Sequence, residues 1–223
     1  MRKNWWKILA VLLVLYAIIG GMLLQVPKLA ILHESIRNLY YHVPMWFSMI
    51  ILFTASVVYS ISFLNSSKTK HDTLAKETAA VGFFLGILGL LTGMVWARFT
   101  WGAFWVADPK LNGALAAILV YAAYFLLRNS MDDEKKRSRI AAVYSIFAYV
   151  LMLVFIMVIP RLTASLHPGS GGNPGFNVYD LDSTMRLIFY PAVIGWTLLA
   201  TWIVSLKVRM TNLKIEMLKN LNN

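Results

Sequence analysis

The chain has 223 residues, of which 59% are hydrophobic and 14% charged, and its mean hydropathy is +0.64. Soluble domains carry nearer a quarter charged residues, so this composition excludes an ordinary soluble domain and makes lipid the solvent. The net charge of +11 would suit nucleic acid, but the basic residues collect in linkers between apolar stretches, which excludes that partner.

Six charge-free stretches follow one another at about 8–26, 45–64, 78–97, 111–127, 140–160 and 187–206. About 20 apolar residues cross a bilayer core, and backbone groups in lipid must be paired within the segment, so each stretch predicts a helix. The fourth is short and is expected to borrow a turn from its flanks. The alternating polarity of a membrane barrel is absent. The expected fold is an all-α integral membrane protein: one six-helix membrane domain spanning residues 1–223, with no internal repeat.

The first stretch, ending in "AIIGGMLL", lacks a convincing small-x-small cleavage site and is expected to be a retained anchor rather than a signal peptide. Next, "PKLAILHESIRNLYYHVP" carries His33 and His42, with Pro44 suited to the first turn of the second span. The linker "NSSKTKHDTLAKE" holds His71, a solvated loop residue on this view. After the third span comes "WGAFWVADPKL". A short helix over 101–108 would put Trp101, Trp105 and Asp108 on one face, joined by Phe104. Pro109 would end that turn at Asp108. Tryptophan also gathers at membrane interfaces as an anchor, which is the competing explanation of this segment. The linker "RNSMDDEKKRSR" precedes the fifth span. Beyond that span, "RLTASLHPGSGGNPGFNVYDLDSTMR" holds His167 at the head of a Gly/Pro-rich loop.

Fifteen of the 21 Lys and Arg residues lie in the N-terminus, the two charged linkers and the C-terminal tail. Six lie on the other side: Lys28, Arg37, Arg98, Lys110, Arg161 and Arg186. The positive-inside rule places the larger set, and both termini, in the cytoplasm. The three unusual connections then face outward.

Cysteine is absent, so there is no disulfide, no thiolate ligand and no C-x-x-C-H for covalent haem attachment. Two outward histidines beside span ends leave zinc and haem both open. No P-loop and no dinucleotide fingerprint occurs. Ser165 and His167 are close but lack a nucleophile elbow. No span holds an ionisable residue, which argues against an ion-coupled transporter. No span holds a histidine either, which argues against electron transfer through haems inside the membrane.

"HVPMWF", "WGAFWVADPKL" and "LHPGSGG", in this order across six spans, resemble the CcmC family, the haem-handling proteins of cytochrome c maturation with a tryptophan-rich signature. Family members often have Trp where Phe104 and Ala107 stand, and Arg where Lys110 stands. The resemblance implies His42 and His167 as axial iron ligands. It implies Trp101, Trp105, Asp108, Phe104, Trp96 and Arg98 as residues that line or order the haem surface. Neutral imidazole is the ligand, so binding is expected to weaken near pH 6. The outer basic residues Arg98, Lys110, Arg161 and Arg186 are candidates for pairing with the propionates. His33 is the competing ligand, nine residues before His42. The implied cargo is haem b, held non-covalently and transiently at the periplasmic face of a bacterial inner membrane. Opening of the loop 167–175 would release it. The implied partners are a CcmE-like haem chaperone, the CcmA/CcmB ABC transporter pair and a CcmD-like small subunit. The chain would then be a haem-transfer protein and not an enzyme. Its rivals are a membrane-bound haem or quinone oxidoreductase subunit and a structural docking subunit of an ABC-type complex.

Overall fold

A computed structural model of the chain describes residues 4–27, 32–167 and 181–221. Its helices, in order, are α1 (Trp5–Leu23), a 3-10 helix (His33–Asn38) leading into α2 (Leu39–Ser66), α3 (Thr69–Trp101), α4 (Pro109–Asn129), α5 (Glu134–Leu153), a π-helical stretch (Val154–Val158) continued by the short α6 (Ile159–Leu162), and α7 (Ser183–Leu221). No strand occurs among the described residues. Six of these rods are long and apolar enough to cross a membrane: α1, His33–Ser66, α3, α4, Glu134–Leu162 and α7. Their outer faces carry large exposed side chains such as Leu12, Ile19, Leu119, Leu126, Phe147 and Ile194, which suits lipid contact.

The rods outrun the apolar stretches. α2 begins at Leu39, so Pro44 lies inside the helix rather than in its first turn. His42 is therefore a helical residue rather than part of the loop before the second span. α3 takes in most of the charged linker before it, including His71, Asp72 and Glu77. His71 Nδ1 lies 2.9 Å from Ser66 Oγ. α4 does borrow its flanks, starting at Pro109.

α2 and α3 form an antiparallel hairpin seated on glycine. A Cβ built on Gly93 would lie 2.8 Å from His42 Cε1, on Gly89 2.8 Å from Trp46 Nε1, on Gly86 2.8 Å from Met49 Sδ, and on Gly82 3.1 Å from Phe53. Steps of four, three and four residues along α2 match equal and opposite steps along α3. At 93, 89 and 86 a Cβ would come closer than 3.0 Å to a facing side chain, which glycine avoids; at 82 the contact is tight rather than blocked. The main core continues from this seam, with Phe53 stacked on Tyr121 at 3.5 Å and packed with Met49, Leu85, Tyr124, Ala148 and Met152. A second cluster joins α1, the start of α2 and the start of α7 through Ala17, Tyr40, Met185, Ile188 and Phe189.

The two ends of the bundle differ. At one end Arg128 of α4 forms a two-toothed ion pair with Asp72 of α3. Ser138 Oγ of α5 donates to the same carboxylate at 2.9 Å. Glu77 there accepts from Thr211 at 2.9 Å and pairs with Lys207 at 3.3 Å. The opposite end gathers His42 of α2 and the connections that hold Asp108 and His167.

Candidate functional site

His42 projects from the fourth residue of α2 into the space left by Gly93. Its imidazole meets Trp46 edge-on at 6.3 Å between centroids and Trp96 at 5.8 Å. His42 Nδ1 lies 3.0 Å from Thr92 Oγ1. The Thr92 hydroxyl has one proton, and it faces the Leu88 and Gly89 carbonyl oxygens at 2.8 and 3.0 Å. It therefore accepts from His42 Nδ1–H, which sets the tautomer with the lone pair on Nε2. Trp96 is held in turn, its Nε1–H donating to Ser35 Oγ at 3.1 Å.

Trp101 does not begin a new helix. It is the last residue of α3, and Gly102 closes that helix at φ +83° with its N–H donating to the Arg98 carbonyl at 3.2 Å. Residues 103–108 are non-helical, so the expected 101–108 helical face is replaced by a turn. Glycine relieves the left-handed conformation at 102 and ends the helix before Trp105 can align with Trp101. Phe104 is 54% exposed and Trp105 36% exposed. The Arg98 guanidinium donates to the Gly102 carbonyl, so Arg98 braces the turn.

Asp108 is the pivot. It is 1% exposed and precedes Pro109 as the N-cap of α4, where Oδ1 accepts the Lys110 N–H at 2.9 Å. Asp before Pro at a helix start satisfies an orphan donor and sets the first helical φ. The same carboxylate captures the segment after α6. Oδ2 accepts Ser165 Oγ–H at 2.8 Å and the Leu166 N–H at 2.7 Å. His167 Nδ1 lies 2.9 Å from Oδ1. Burial opposes ionisation of Asp108, but the donors from Leu166, Ser165 and Lys110 outweigh it and hold the pKa below the usual carboxylate value.

Burial pushes the His167 pKa from 6.5 down to about 4; Asp108 pulls it upward and Lys110 lowers it. At neutral pH the ring is uncharged, donates Nδ1–H to Asp108 and carries its lone pair on Nε2. Its side chain remains 23% exposed, and it packs edge-on to Trp101 at 4.8 Å. Protonation in place thus falls near pH 4 rather than pH 6. The serine and acid do not form a hydrolytic triad with this histidine. Ser165 Oγ is 3.4 Å from the same Nδ1 that faces Asp108, whereas a triad sets serine and acid on opposite ring nitrogens.

The two histidines are positioned by one helix. Gly93 seats His42 and Trp101 contacts His167; eight residues separate them, about 12 Å along α3. His33 opens the 3-10 helix, exposed and at φ +43°. Arg186 Nε donates to the Leu181 carbonyl at 3.1 Å, Arg161 is exposed, and Lys28 and residues 168–175 lie outside the described residues. Sequence reasoning missed Thr92, the glycine seam and the capture of Leu166 by Asp108. Glycines at 82, 86, 89 and 93 were the available signal for the seam.

A family model described as CcmC, Heme exporter protein C, matches residues 1–222. The chain belongs to the CcmC family. It is 28% identical over 169 residues to the Heme exporter protein C of Bradyrhizobium diazoefficiens, covering 74% of this chain and 62% of that protein. It is 40% identical over 95 residues to the Cytochrome c biogenesis protein CcsA of Prochlorococcus marinus, covering 42% of this chain and 30% of that protein. A Synechococcus CcsA is 35% identical over 102 residues, covering 46% of this chain and 33% of that protein. The alignments thus span less than two thirds of each relative's length. Membership and the six apolar rods together make this CcmC-family chain a multi-pass membrane protein.

Proposed function

We propose that this chain handles haem for c-type cytochrome maturation, holding haem b non-covalently between His42 and His167 at the outer face of a bacterial inner membrane. The observation that carries the proposal is the matched state of the two imidazoles. Each has its Nδ1 occupied, by Thr92 Oγ1 or by Asp108 Oδ1, so each keeps Nε2 for iron. Zinc sites call for about four protein ligands, whereas haem supplies four nitrogens of its own and needs only axial donors. Trp46, Trp96 and Trp101 beside the imidazoles offer apolar surface to a porphyrin. Exposed Phe104 and Trp105 extend that surface outward, where a haem chaperone of the CcmE kind would approach.

The basic excess puts the Asp72–Arg128 end in the cytoplasm and the histidine end in the periplasm. The chain acts as a transfer protein rather than an enzyme. Energy for release comes from an associated ATP-driven pair of the CcmA/CcmB kind, with a CcmD-like small subunit.

The test is purification in mild detergent after haem-replete expression. A Soret band that shifts on reduction, and that falls in His42→Ala and His167→Ala at equal protein yield, supports the proposal. A haem-free wild type would leave a docking role, and turnover with a quinol analogue would make the chain an oxidoreductase.

A further inference from the structure

α7 is 39 residues long, about 58 Å at 1.5 Å per residue, nearly twice a bilayer core of about 30 Å. Its first part packs among α1 and α2, and its bundle-facing side ends with Val204, Val208 and Thr211. On the opposite side, Ile203, Leu206, Met210, Leu213 and Met217 form a separate line. Their spacing is three, four, three, four, the interval of a coiled-coil seam. All five are exposed, rising from 37% at Ile203 to 67% at Met210, with 59% at Leu213 and 64% at Met217. The line starts in the last turns of the apolar stretch and continues beyond it, so lipid covers its beginning only. Met at two seam positions gives an adaptable surface for a partner side chain.

The residues flanking the seam identify the partner's charge. In heptad terms Lys207 and Lys214 take one flank, and Arg209 and Glu216 the other. Lys207 is already engaged with Glu77, leaving Arg209 and Lys214 as the exposed cations beside the seam. Two copies of this chain share one membrane orientation and would pair in parallel. That arrangement sets Arg209 of one copy against Lys214 of the other, twice by symmetry, a like-charge conflict. An amphipathic helix bearing Asp or Glu at its flanks meets both cations favourably.

We propose that the C-terminal part of α7 is a docking seam for an acidic amphipathic helix of a different chain, one that leaves the bilayer beside α7. A seam of about two heptads is weak alone, and anchoring both helices in one membrane raises their effective concentration. The proposal is independent of haem, because the seam lies at the end of the bundle opposite His42.

The chain has no cysteine, which permits a direct test in nanodiscs of zwitterionic lipid. Leu213→Cys probes the seam and Asn212→Cys its neighbouring face. The probes are two lipid-anchored heptad peptides with identical Leu/Ile seams and one seam cysteine, flanked by Glu in one and by Lys in the other. The expected result is a disulfide between Leu213→Cys and the acidic peptide, at least about tenfold faster than with the basic peptide or at Asn212→Cys, and slowed by salt. In the cysteine-free chain, Met210→Glu together with Met217→Glu abolishes binding of the acidic peptide while membrane yield is kept. Equal reaction of the two peptides overturns the proposal, as does the absence of reaction with either. So does preferential Leu213→Cys self-dimerisation. A fluorophore at Leu213→Cys that becomes lipid-buried on adding anionic vesicles, with the acidic peptide still failing to react, overturns it in favour of a membrane surface.

Discussion

Asp108→Asn changes one atom and separates the roles of the carboxylate. Four donors converge on its two oxygens: Lys110 N and His167 Nδ1 on Oδ1, Ser165 Oγ and Leu166 N on Oδ2. Asparagine offers one carbonyl oxygen and one NH2. With the oxygen kept toward Lys110 and His167, the NH2 meets the Leu166 N–H, and only the Ser165 hydroxyl can turn to accept. With the amide flipped, Lys110 loses its cap partner, and His167 must move its proton to Nε2, the nitrogen assigned to iron. Either way at least one hydrogen bond to a charged group is lost and one buried N–H is orphaned. Together these cost about 3 kcal/mol of the closure of 163–167 onto Asp108. At 1.4 kcal/mol per decade the haem affinity falls by up to about 100-fold. The assay is titration of ferric haem into the protein in nanodiscs, read at the Soret band across pH. In the wild type the His167 pKa lies at about 4, below its ordinary 6.5. Protons therefore favour the released segment. Closure is at full strength above pH 6.5, weakens as the pH falls, and is lost near pH 4. An Asn variant with wild-type affinity, or a wild-type acid midpoint at 6.5, refutes the buried Asp108–His167 link.

Gly93→Ala puts a methyl 2.8 Å from His42 Cε1; haem occupancy should fall sharply at unchanged yield, because the imidazole must swing off Thr92 before anything else yields. Thr92→Val keeps the shape and removes the acceptor for His42 Nδ1–H, so haem affinity should drop about 10- to 100-fold, with Thr92→Ser close to wild type. Arg128→Met leaves Asp72 buried and uncompensated; detergent thermal stability should fall by about 3–5 kcal/mol, while the Soret position of the surviving folded fraction stays unchanged.

Hydropathy located all six rods because a bilayer demands about the same apolar length of every span. Helix ends were less legible. Asp72, Glu77 and Arg128 read as loop charges, but they pair across α3, α4, α5 and α7 and so extend the helices beyond the apolar stretches. At the site, His42 and His167 were readable as imidazoles beside span ends. Their neighbours were not, because Thr92 reaches His42 only through the antiparallel register of α2 and α3, which hydropathy does not encode. In the sequence, the Asp-Pro pair at 108–109 signals the end of a turn; that Asp108 also caps α4 comes from the structure. That the same carboxylate holds residues 165–167 depends on a contact 58 positions apart. The 101–108 helix failed at Gly102, whose positive φ a periodicity count overlooks. The Trp101 contact with His167 nevertheless keeps that tryptophan at the site.

One iron held by two imidazoles has a distinctive spin state, and electron paramagnetic resonance of the ferric haem complex reads it directly. The wild type should be six-coordinate and low-spin. His42→Gly and His167→Gly should each become high-spin, and added imidazole should restore the low-spin signal in both. A wild-type low-spin signal persisting in either variant without imidazole would contradict the joint grip of His42 and His167.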